Sequence, residues 1–386
     1  MSSFPYIFTF YSFKGGVGRS MAVLNVAYDL AGRGRNVLIL DMDLEAPGLS
    51  GFMNRQAGLE RQAEFDVIDL VTWAKTFAKT RGDIVEDASA VQEAAPPLSA
   101  YAAHVRPEKL EKIKPRLGEL GRLDVVSANF GRDYAKRLEK LDLGSMGRER
   151  LVGVGKALRT YLKTRRIPVE VPEYYGPDVP REVPYDYVLV DSRTGMTEAG
   201  GLCVGPLSDR LVVLLSLNDQ NVEGTKGFLD EIGVNELREN CQEPWDEADV
   251  APSSSGAPPR MGPKPTLIVA SPVPVGEIDY KRQRLERIRT QLAKAAVSLS
   301  YHPQMALIES IFARDYRSEY LAREYGELTG AVMACVNDSA EQLAELSRIE
   351  WNEQKEHAKA VAYVIRSAPD TPSVAASKTK PVRGRR

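Results

Sequence analysis

A glycine-rich segment near the N-terminus limits the possible folds of this chain more than any other feature. Residues 14–20 read KGGVGRS, and they follow an apolar, aromatic and β-branched run at residues 6–11. After the glycines, apolar residues recur on one face of a helical pattern between Leu24 and Ala31. A strand, a glycine loop and a helix in this order form the structural context of a phosphate-binding loop.

The residue types of this loop predict how an anion would be held. Gly15, Gly16 and Gly18 permit positive φ angles and a close approach of the backbone to the anion. The N–H groups of the loop and of the first helical turn would then point towards phosphate oxygens. A glycine turn without a ligand is the alternative interpretation of the loop taken by itself. We expect nucleotide contacts from Lys14, Gly15, Gly16, Val17, Gly18, Arg19, Ser20 and Met21.

Two further segments carry acidic residues at the ends of predicted strands. One apolar run ends at Asp41 and Asp43, and another, which begins at Tyr185, ends at Asp191. Carboxylates at the C-terminal ends of parallel strands lie in the crevice where open α/β sheets bind ligands. A single aspartate of this kind can also be a turn or helix-capping residue. Because three strand ends carry such motifs, the combined pattern favours a nucleotide site.

The loop resembles the deviant Walker A motif of the ParA/MinD-like ATPases, in which a leading lysine precedes GGxG. Lys14 matches that lysine, whereas the ordinary GxxxxGK[ST] pattern would place glycine at Phe13 and lysine at Arg19. The arginine of KGGVGR is similar to that of a variant group within the superfamily. The resemblance covers residues 1–50 and 183–310. It implies a P-loop NTPase of the α/β class, with a doubly wound, mainly parallel sheet and helices on both faces.

The same resemblance implies that the chain binds ATP and Mg²⁺. Ser20 would supply a hydroxyl to the metal, with Asp191 behind the residues that touch the metal or acting on it through a bound water. Asp41 would support the water molecules around the metal. These three residues are the expected metal site.

Three residues are expected to act in hydrolysis, again by resemblance. Asp43 would orient the attacking water, and Arg19 would replace the usual lysine, because its planar fork can still reach phosphate oxygens. Lys14 would reach across a dimer to the phosphates of the other subunit, as an arginine finger does in trans. The resemblance therefore implies an ATP-dependent sandwich homodimer in which hydrolysis releases a bound partner.

The sequence departs from the family pattern in three places. Arg19 stands in place of lysine, so the resemblance does not set the rate of hydrolysis. Arg193 lies in DSRTG, where a proline is more usual after the aspartate, and is a candidate for an additional phosphate or dimer contact. The strand that ends near Ser271 lacks an asparagine for reading adenine. Asn218 and Ser271 are the remaining candidates for base contacts.

Composition along the chain predicts three regions. Residues 1–338 form the ATPase domain, with an insertion at 51–120 and a flexible loop at 241–265 that is rich in Pro, Ser and Gly. Residues 339–367 form a C-terminal helix, and residues 368–386 form a basic, disordered tail. The insertion is a candidate surface for a protein partner.

Hydrophobic periodicity predicts the individual elements between these motifs. The residues 81–100, which are rich in alanine and acid, are expected to be an exposed stretch. We expect helices at 51–80, 107–117, 146–166, 222–237 and 279–296, strands at 123–127, 211–215 and 266–270, and a last strand edge at 301–303.

Bulk composition excludes several classes of protein. The 386 residues carry a formal net charge of -2 and 27% charged residues, which is not the composition of a general polyanion binder. The three cysteines are far apart, which indicates neither a disulfide framework nor a zinc site and suggests a reducing cytoplasm. No apolar run approaches the length of a transmembrane helix, and the N-terminus lacks the basic region of a signal peptide.

The C-terminal region gives two indications about partners. The segment SKTKPVRGRR is basic and has no acidic residue, so it can contact nucleic acid or remain a solvated terminus. The predicted helix before it carries glutamates that argue against docking on an acidic membrane. These are Glu341, Glu345, Glu350, Glu353 and Glu356.

These expectations support one leading function and leave three alternatives open. The leading function is a slow, partner-stimulated ATPase switch in a bacterial regulatory, positioning or conflict system, which recruits or releases a protein partner. A DNA-associated partition ATPase is the first alternative, motivated by the tail and by the basic helix at 279–296. A nucleotide-binding scaffold that hardly hydrolyses, because of Arg19, is the second. A bacterial tyrosine-kinase-like enzyme is the third, and the lack of a terminal tyrosine cluster argues against it.

Overall fold

The computed structural model describes most of the chain up to residue 336, and the described residues lie within one compact unit, Met1–Val336. The expected C-terminal helix and basic tail lie outside these residues, as do almost all of the loop at 241–265 and of the helix at 107–117. The described residues are 4–56, 59, 63–106, 110, 120–128, 133–168, 182–195, 197–231, 264–276, 278–292, 297–306 and 310–336.

The strands follow the short apolar runs of the sequence. They are β1 (Tyr6–Tyr11), β2 (Val37–Asp41), β3 (Ala103–His104), β4 (Leu123–Val126), β5 (Arg166–Pro168), β6 (Glu182–Pro184), β7 (Tyr187–Asp191), β8 (Arg210–Leu215), β9 (Thr266–Val273) and β10 (Val297–Ser300). Eight of them form one sheet in the order β10-β9-β8-β1-β7-β2-β4-β3, and β5 pairs with β6 separately.

The main sheet is parallel except at one edge. Strand β3 is antiparallel to β4, and every other neighbouring pair in the sheet is parallel. Strand β1 lies between β7 and β8, so the glycine loop that follows it emerges in the middle of the sheet. The expected mainly parallel α/β fold is therefore confirmed.

Helices connect the strands. They are α1 (Arg19–Gly32), α2 (Leu49–Gln56), α3 (Val67–Thr80), α4 (Ala88–Ala94), α5 (Tyr134–Leu141), α6 (Arg148–Thr164), α7 (Glu198–Leu202), α8 (Asp219–Glu231), α9 (Ile278–Gln291), α10 (Phe312–Asp315) and α11 (Tyr320–Ala334). Within the described ranges, every helix is too short or too polar to cross a bilayer.

Both faces of the sheet are covered. Successive side chains of a strand point to opposite faces, and all side chains from Ile7 to Tyr11 in β1 are completely buried. Helices α3, α4 and α6 pack against one another, while α1, α10 and α11 pack together. Burial on both faces explains why the central strands read as continuous apolar runs and not as alternating patterns.

The region after β2 differs from the expectations in two respects. The helix expected at 51–80 is two helices, α2 and α3, because Asp66 starts α3 with a capping box. Its side chain accepts from the backbone N–H groups of Ile68 and Asp69, and the Asp69 side chain accepts from the Asp66 N–H. The stretch at 81–100 is not simply exposed, because α4 lies within it and Val91 is fully buried in the core cluster shared with α3 and α6.

The remaining predicted elements within the described residues are close to those observed. The helix at 146–166 is α6, and the strands at 123–127, 211–215 and 266–270 are β4, β8 and β9. The expected last strand edge at 301–303 is displaced, because β10 ends at Ser300. Val297 and Leu299 alternate into the core, whereas Pro303 has no N–H for a strand ladder.

Candidate nucleotide-binding site

The glycine loop leaves β1 at the edge of the sheet where the parallel strands end. Gly16 and Gly18 both have φ of +79°, in the left-handed region that other residues rarely adopt. Gly15 is not in this region, so the expectation of a positive φ was wrong for this residue. No atom lies within 4 Å of a β-carbon built on Gly16. Backbone conformation, and not lack of space, therefore requires glycine there.

Helix α1 begins directly after the loop, at Arg19. The first N–H groups of any helix have no acceptor inside the helix, and they carry the positive end of the helix dipole. Gly18, which precedes the helix, makes no side-chain cap. The first turn of α1 therefore presents N–H groups at the mouth of the loop, as an anion site requires.

Ser271 supports the loop from β9, which is separated from β1 by β8. Its hydroxyl donates to the Val17 carbonyl at 2.8 Å, and the side chain is 4% exposed. The same oxygen lies 3.6 Å from a β-carbon built on Gly18. The structure thus places Ser271 beneath the loop, and its expected contact with a base stays a prediction.

Arg19 directs its guanidinium at two of the expected aspartates. Its Nε donates to Asp191 Oδ1, and its Nη2 donates to Asp43 Oδ2 at 2.9 Å. The remaining nitrogen, Nη1, is buried and has no hydrogen-bond partner among the described residues. A buried polar group without a partner costs free energy. One position of the guanidinium fork is therefore still available to an anionic oxygen.

The charges of this cluster are mutually dependent. Burial would lower the pKa of Arg19, but Asp191 and Asp43 outweigh burial and raise it, so the guanidinium stays charged. Burial raises the pKa of Asp191, and this effect is opposed by Arg19 and by a hydrogen bond with Ser20. The arginine therefore favours the ionised form of Asp191.

Asp41 and Asp191 are a buried pair of acidic residues. They are directly opposite each other in the β2–β7 ladder and are 0% and 1% exposed. Asp41 Oδ1 accepts from the Asp43 N–H at 3.2 Å, while Oδ2 is buried with no partner in the described part of the chain. Burial and the neighbouring Asp191 raise the pKa of Asp41 well above its ordinary value. A nearby cation would stabilise the ionised form of Asp41 and so oppose both the effect of burial and the repulsion from Asp191.

These residues fit a metal that is shared with a phosphate group. Ser20 lies within hydrogen-bonding reach of Asp191, which brings together the three expected metal residues. Among the residues described, no group of three or more His, Cys, Asp or Glu is arranged to hold a metal by itself. Mg²⁺ is commonly bound by one or two carboxylates together with phosphates and water. Ser20, Asp41 and Asp191 are compatible with that mode.

Lys14 lies at the surface end of the loop. Its Nζ donates to the side-chain oxygen of Gln220, which is exposed near the start of α8. No sequence pattern indicated Gln220 as a partner of the loop, because the two residues meet only after β1 and β8 have paired.

Asn218 lines an open cleft of about 570 Å³. Its side-chain oxygen accepts from the Asn221 N–H at 2.9 Å, and its amide nitrogen donates to Ser216. The cleft is lined by Leu217, Asn218, Asp219, Pro274, Tyr280, Lys281 and Arg284. Apolar walls with a few polar groups are typical of a ligand pocket.

Arg193, the unusual residue of DSRTG, forms an ion pair with Glu45. This pair joins the loop after β7 to the loop after β2, which carries Asp43. Tyr134 also contacts the latter loop, because its hydroxyl donates to the Leu44 carbonyl at 2.6 Å. Glu45 and Tyr134 were missed by sequence reasoning. In the sequence, the charge of Glu45 beside Asp43 was the one feature that could have indicated a role for Glu45. No sequence feature indicated a role for Tyr134.

Comparison with known proteins agrees with this architecture. Residues 8–169 match the family model described as the CobQ/CobB/MinD/ParA nucleotide binding domain. A search of curated protein sequences found no match. The matched part includes the loop and β2, and it ends before β7.

Two solved structures share the fold at low sequence identity. A proposed plasmid partition protein of Borrelia burgdorferi B31, bound to AMPPNP, aligns with a TM-score of 0.50 and 14% identity. The alignment covers 85% of this chain and 98% of that chain. Cyanothece McdA, as a variant in complex with ATP, aligns with a TM-score of 0.51 and 12% identity, over 86% of this chain and 97% of that chain. Residues 8–169 are therefore similar to the CobQ/CobB/MinD/ParA nucleotide binding domain, and the two solved structures share the fold of this chain.

Proposed function

We propose that this protein is an ATP-binding, slowly hydrolysing switch that dimerises with ATP and thereby recruits or releases a protein partner. The observation that carries the proposal is the position of Arg19. It follows the glycine loop, bridges Asp191 and Asp43, and keeps one buried nitrogen that has no partner among the residues the structure describes. A phosphate oxygen is the acceptor that this geometry suits, because arginine recognises phosphate through its planar fork.

The proposed binding mode uses the backbone as well as Arg19. The N–H groups of the loop and of the first turn of α1 would surround the β-phosphate, because Gly16 and Gly18 already hold the left-handed conformation. Val17, between these two glycines, is fixed by the hydrogen bond from Ser271. The loop is therefore supported in the absence of any contact from a ligand.

Ser20, Asp41 and Asp191 are the proposed Mg²⁺ residues. The metal, when bound, would neutralise charge on the phosphates during their hydrolysis. Asp41 Oδ2, which has no partner within the described ranges, supports this assignment, because a buried carboxylate oxygen needs a donor or a cation. Asp191 would also keep Arg19 oriented, through the hydrogen bond from Nε.

Slow turnover follows from the pairing of Arg19 with Asp43. Asp43 is the residue proposed to orient the attacking water, and one of its oxygens is occupied by the arginine. That carboxylate must be released, or must act through its other oxygen, before it can hold water. Arg19 is accordingly proposed as both a phosphate ligand and a brake on hydrolysis.

The cleft beside Asn218 is the proposed site for the base and ribose. Ser271 supports the loop, and Pro274, three residues later, lines the cleft, so loop and cleft are adjacent. Tyr280 offers an exposed aromatic ring at the rim. The choice of ATP over other nucleotides rests on the resemblance, and it is supported by the AMPPNP and ATP bound in the two similar structures.

The proposed dimer would form across the face that carries the loop. Lys14 is partly exposed there, and its contact with Gln220 holds it at the surface. In a sandwich dimer it would reach the phosphates bound by the second subunit. We retain 1–338 as the ATPase domain in this proposal, with the region 51–120 as a candidate surface for the protein partner.

The ion pairs made by the arginines of helix α9 weaken the DNA-binding alternative. Arg284 and Arg287 both pair with Asp219, and Arg287 also pairs with Glu223 at 3.0 Å. Arg289 lies 3.4 Å from Glu286. Much of the positive charge of this helix is therefore balanced locally, which reduces its attraction for phosphate backbones.

The experiment that tests the proposal measures mass in solution together with phosphate release. The purified chain would be compared without nucleotide, with ADP, and with ATP plus Mg²⁺. We expect a dimer only with ATP and a slow release of phosphate. A mass that does not depend on nucleotide, with no release, would favour the scaffold alternative. Binding to nonspecific duplex DNA at low salt would support the partition alternative.

A pair of glycine variants separates loss of the site from general damage. Gly18→Ala places a β-carbon at a φ of +79°, where it is strained although the nearest atom is 3.6 Å away. Gly227→Ala, in α8, meets no atom within 4 Å and has no positive φ. We expect Gly18→Ala to lose nucleotide binding and Gly227→Ala to retain it.

A further inference from the structure

Helix α5 contacts the loop that carries Asp43 through the side chain of Tyr134. The phenolic hydroxyl donates to the Leu44 carbonyl at 2.6 Å, one residue after Asp43. Both side chains are buried, with Tyr134 8% exposed and Leu44 3% exposed. The contact joins residues that are distant in sequence, and no feature of the nucleotide motifs requires it.

The position of Tyr134 is fixed by the rest of α5. Arg137, one turn further along the helix, donates to Asp66 at 2.6 and 3.1 Å and to Asp69 at 3.0 Å. These two aspartates form the capping box of α3. Helix α5 is thereby attached to the start of α3, which packs against α6. Tyr134 therefore connects helices α3 and α5 to the loop that carries Asp43.

The hydroxyl of Tyr134 remains a donor over the working pH range. Burial raises its pKa, and the nearby carboxylates of Asp66, Asp41 and Asp43 add to this effect. Ionisation would place a negative charge among three acidic groups, so the neutral form is favoured.

We propose that Tyr134 is a positioning residue for Asp43, which holds the backbone of the catalytic loop and so couples helix α5 to hydrolysis. The inference rests on the proposed function, because Asp43 is the carboxylate assigned to the attacking water. A carboxylate that orients water must be held to within a fraction of an ångström, and a displacement of about 1 Å can cost about a hundred-fold in rate. Movement of the α3–α5 layer, for example when a partner binds, would then alter turnover.

Tyr134→Phe tests the proposal, with Tyr161→Phe as a matched control. The control also removes a buried hydroxyl that donates to a backbone carbonyl, that of Pro96 at 3.2 Å. It lies on α6 and packs in the same core cluster, but its hydroxyl bonds to Pro96 and not to the loop that carries Asp43. We expect Tyr134→Phe to lower kcat roughly ten-fold or more, with the KM for ATP unchanged. Tyr161→Phe should leave both parameters near those of the wild type.

Amide hydrogen exchange at residues 42–48 gives a readout that does not depend on hydrolysis. We expect faster exchange there in Tyr134→Phe than in the wild type, and no change in Tyr161→Phe. If Tyr134→Phe fails to fold, Arg137→Gln is the second variant, because it releases α5 from α3 while keeping the tyrosine. We expect it to accelerate hydrogen exchange at the amides of residues 42–48.

The outcomes separate this inference from the proposed function. A wild type that releases no phosphate removes the proposed function, yet faster exchange confined to residues 42–48 in Tyr134→Phe would still support a positioning role. Equal exchange and equal kcat in Tyr134→Phe and the wild type would overturn the inference, whether or not the wild type is an ATPase. Equal losses of kcat and of protection from exchange in Tyr134→Phe and Tyr161→Phe would also overturn the inference, because they would indicate a general loss of stability.

Discussion

Arg19 and Asp43 form a hydrogen-bonded ion pair with 2.9 Å between Nη2 and Oδ2. The same guanidinium donates to Asp191, so one side chain at the loop contacts the ends of two neighbouring strands. The side chains of Arg19 and Asp43 are 6% and 19% exposed. Opening such a pair leaves a poorly solvated charge, so the pair resists separation. The proposed phosphate ligand and the proposed water-orienting carboxylate therefore constrain each other.

Asp43→Ala is expected to abolish phosphate release while keeping ATP binding. Loss of a residue that positions and activates water typically costs about 10²–10⁴ in rate. Turnover and ATP affinity would be measured on the same preparation. The control is Asp230→Ala, the same substitution at an exposed position of α8, which should not change turnover. Normal turnover in Asp43→Ala would remove this residue from the catalytic role.

Arg19→Lys is expected to raise turnover. Lysine carries a compact charge without the planar fork, so it cannot hold Asp191 and Asp43 in the observed arrangement. Release of Asp43 should increase kcat by about ten-fold, which corresponds to about 1.4 kcal/mol of activation free energy. Single-turnover phosphate release measures this change directly.

Arg33→Lys is the control for that variant, because Arg33 lies at the other end of α1 and pairs with Asp29 at 2.8 Å. It should shorten a partly buried arginine without altering turnover. A lower kcat in Arg19→Lys, with ADP affinity unchanged, would show instead that the arginine fork promotes the reaction.

Lys14→Ala is expected to impair ATP-dependent dimerisation more than nucleotide binding by the monomer. The side chain is held by Gln220 at the surface and is not needed to shape the backbone of the loop. Mass in solution with ATP and Mg²⁺ would be compared with the ATP affinity of dilute protein. Lys226→Ala changes an exposed lysine on α8 and serves as the control. Unchanged dimerisation and turnover in Lys14→Ala would contradict a role in trans.

Asp124→Asn is expected to destabilise the protein in a pH-dependent way. Burial would raise the pKa of Asp124, but hydrogen bonds with His104, Arg122 and Tyr185 outweigh burial and hold it below its ordinary value. The stabilisation from an acid with a lowered pKa is complete above the unfolded pKa of about 3.9, and it is lost as pH falls through the folded pKa.

The free energy of unfolding should therefore fall by about 2–3 kcal/mol in Asp124→Asn near neutral pH, and the difference from wild type should shrink below about pH 4. Urea unfolding at a series of pH values measures it. Asp230→Asn, at an exposed position, should differ little from wild type throughout. If the difference in the free energy of unfolding between Asp124→Asn and the wild type stays constant down to about pH 3, the lowered pKa of Asp124 would be contradicted.

Most of the nucleotide motif could be predicted because its signals are local. The strand, glycine loop and helix occupy consecutive residues, and Asp41 and Asp191 end apolar runs that are long enough to be central strands. Parallel strands place their C-terminal ends at one edge, so the meeting of these carboxylates followed from the fold class. The capping box at Asp66 was also present in the sequence, but the apolar pattern around it was interpreted as one continuous helix.

The sequence by itself determined the class of the fold, the place of the glycine loop between β1 and α1, and the strand ends that surround it. Only the tertiary structure decided that Arg19 bridges Asp43 and Asp191, that Arg193 pairs with Glu45, and that Tyr134 supports the loop at Leu44. The physical reason is the range of the interactions. Backbone preferences and hydrophobic periodicity act between near neighbours, whereas these contacts depend on which strands and helices become adjacent after the chain has folded.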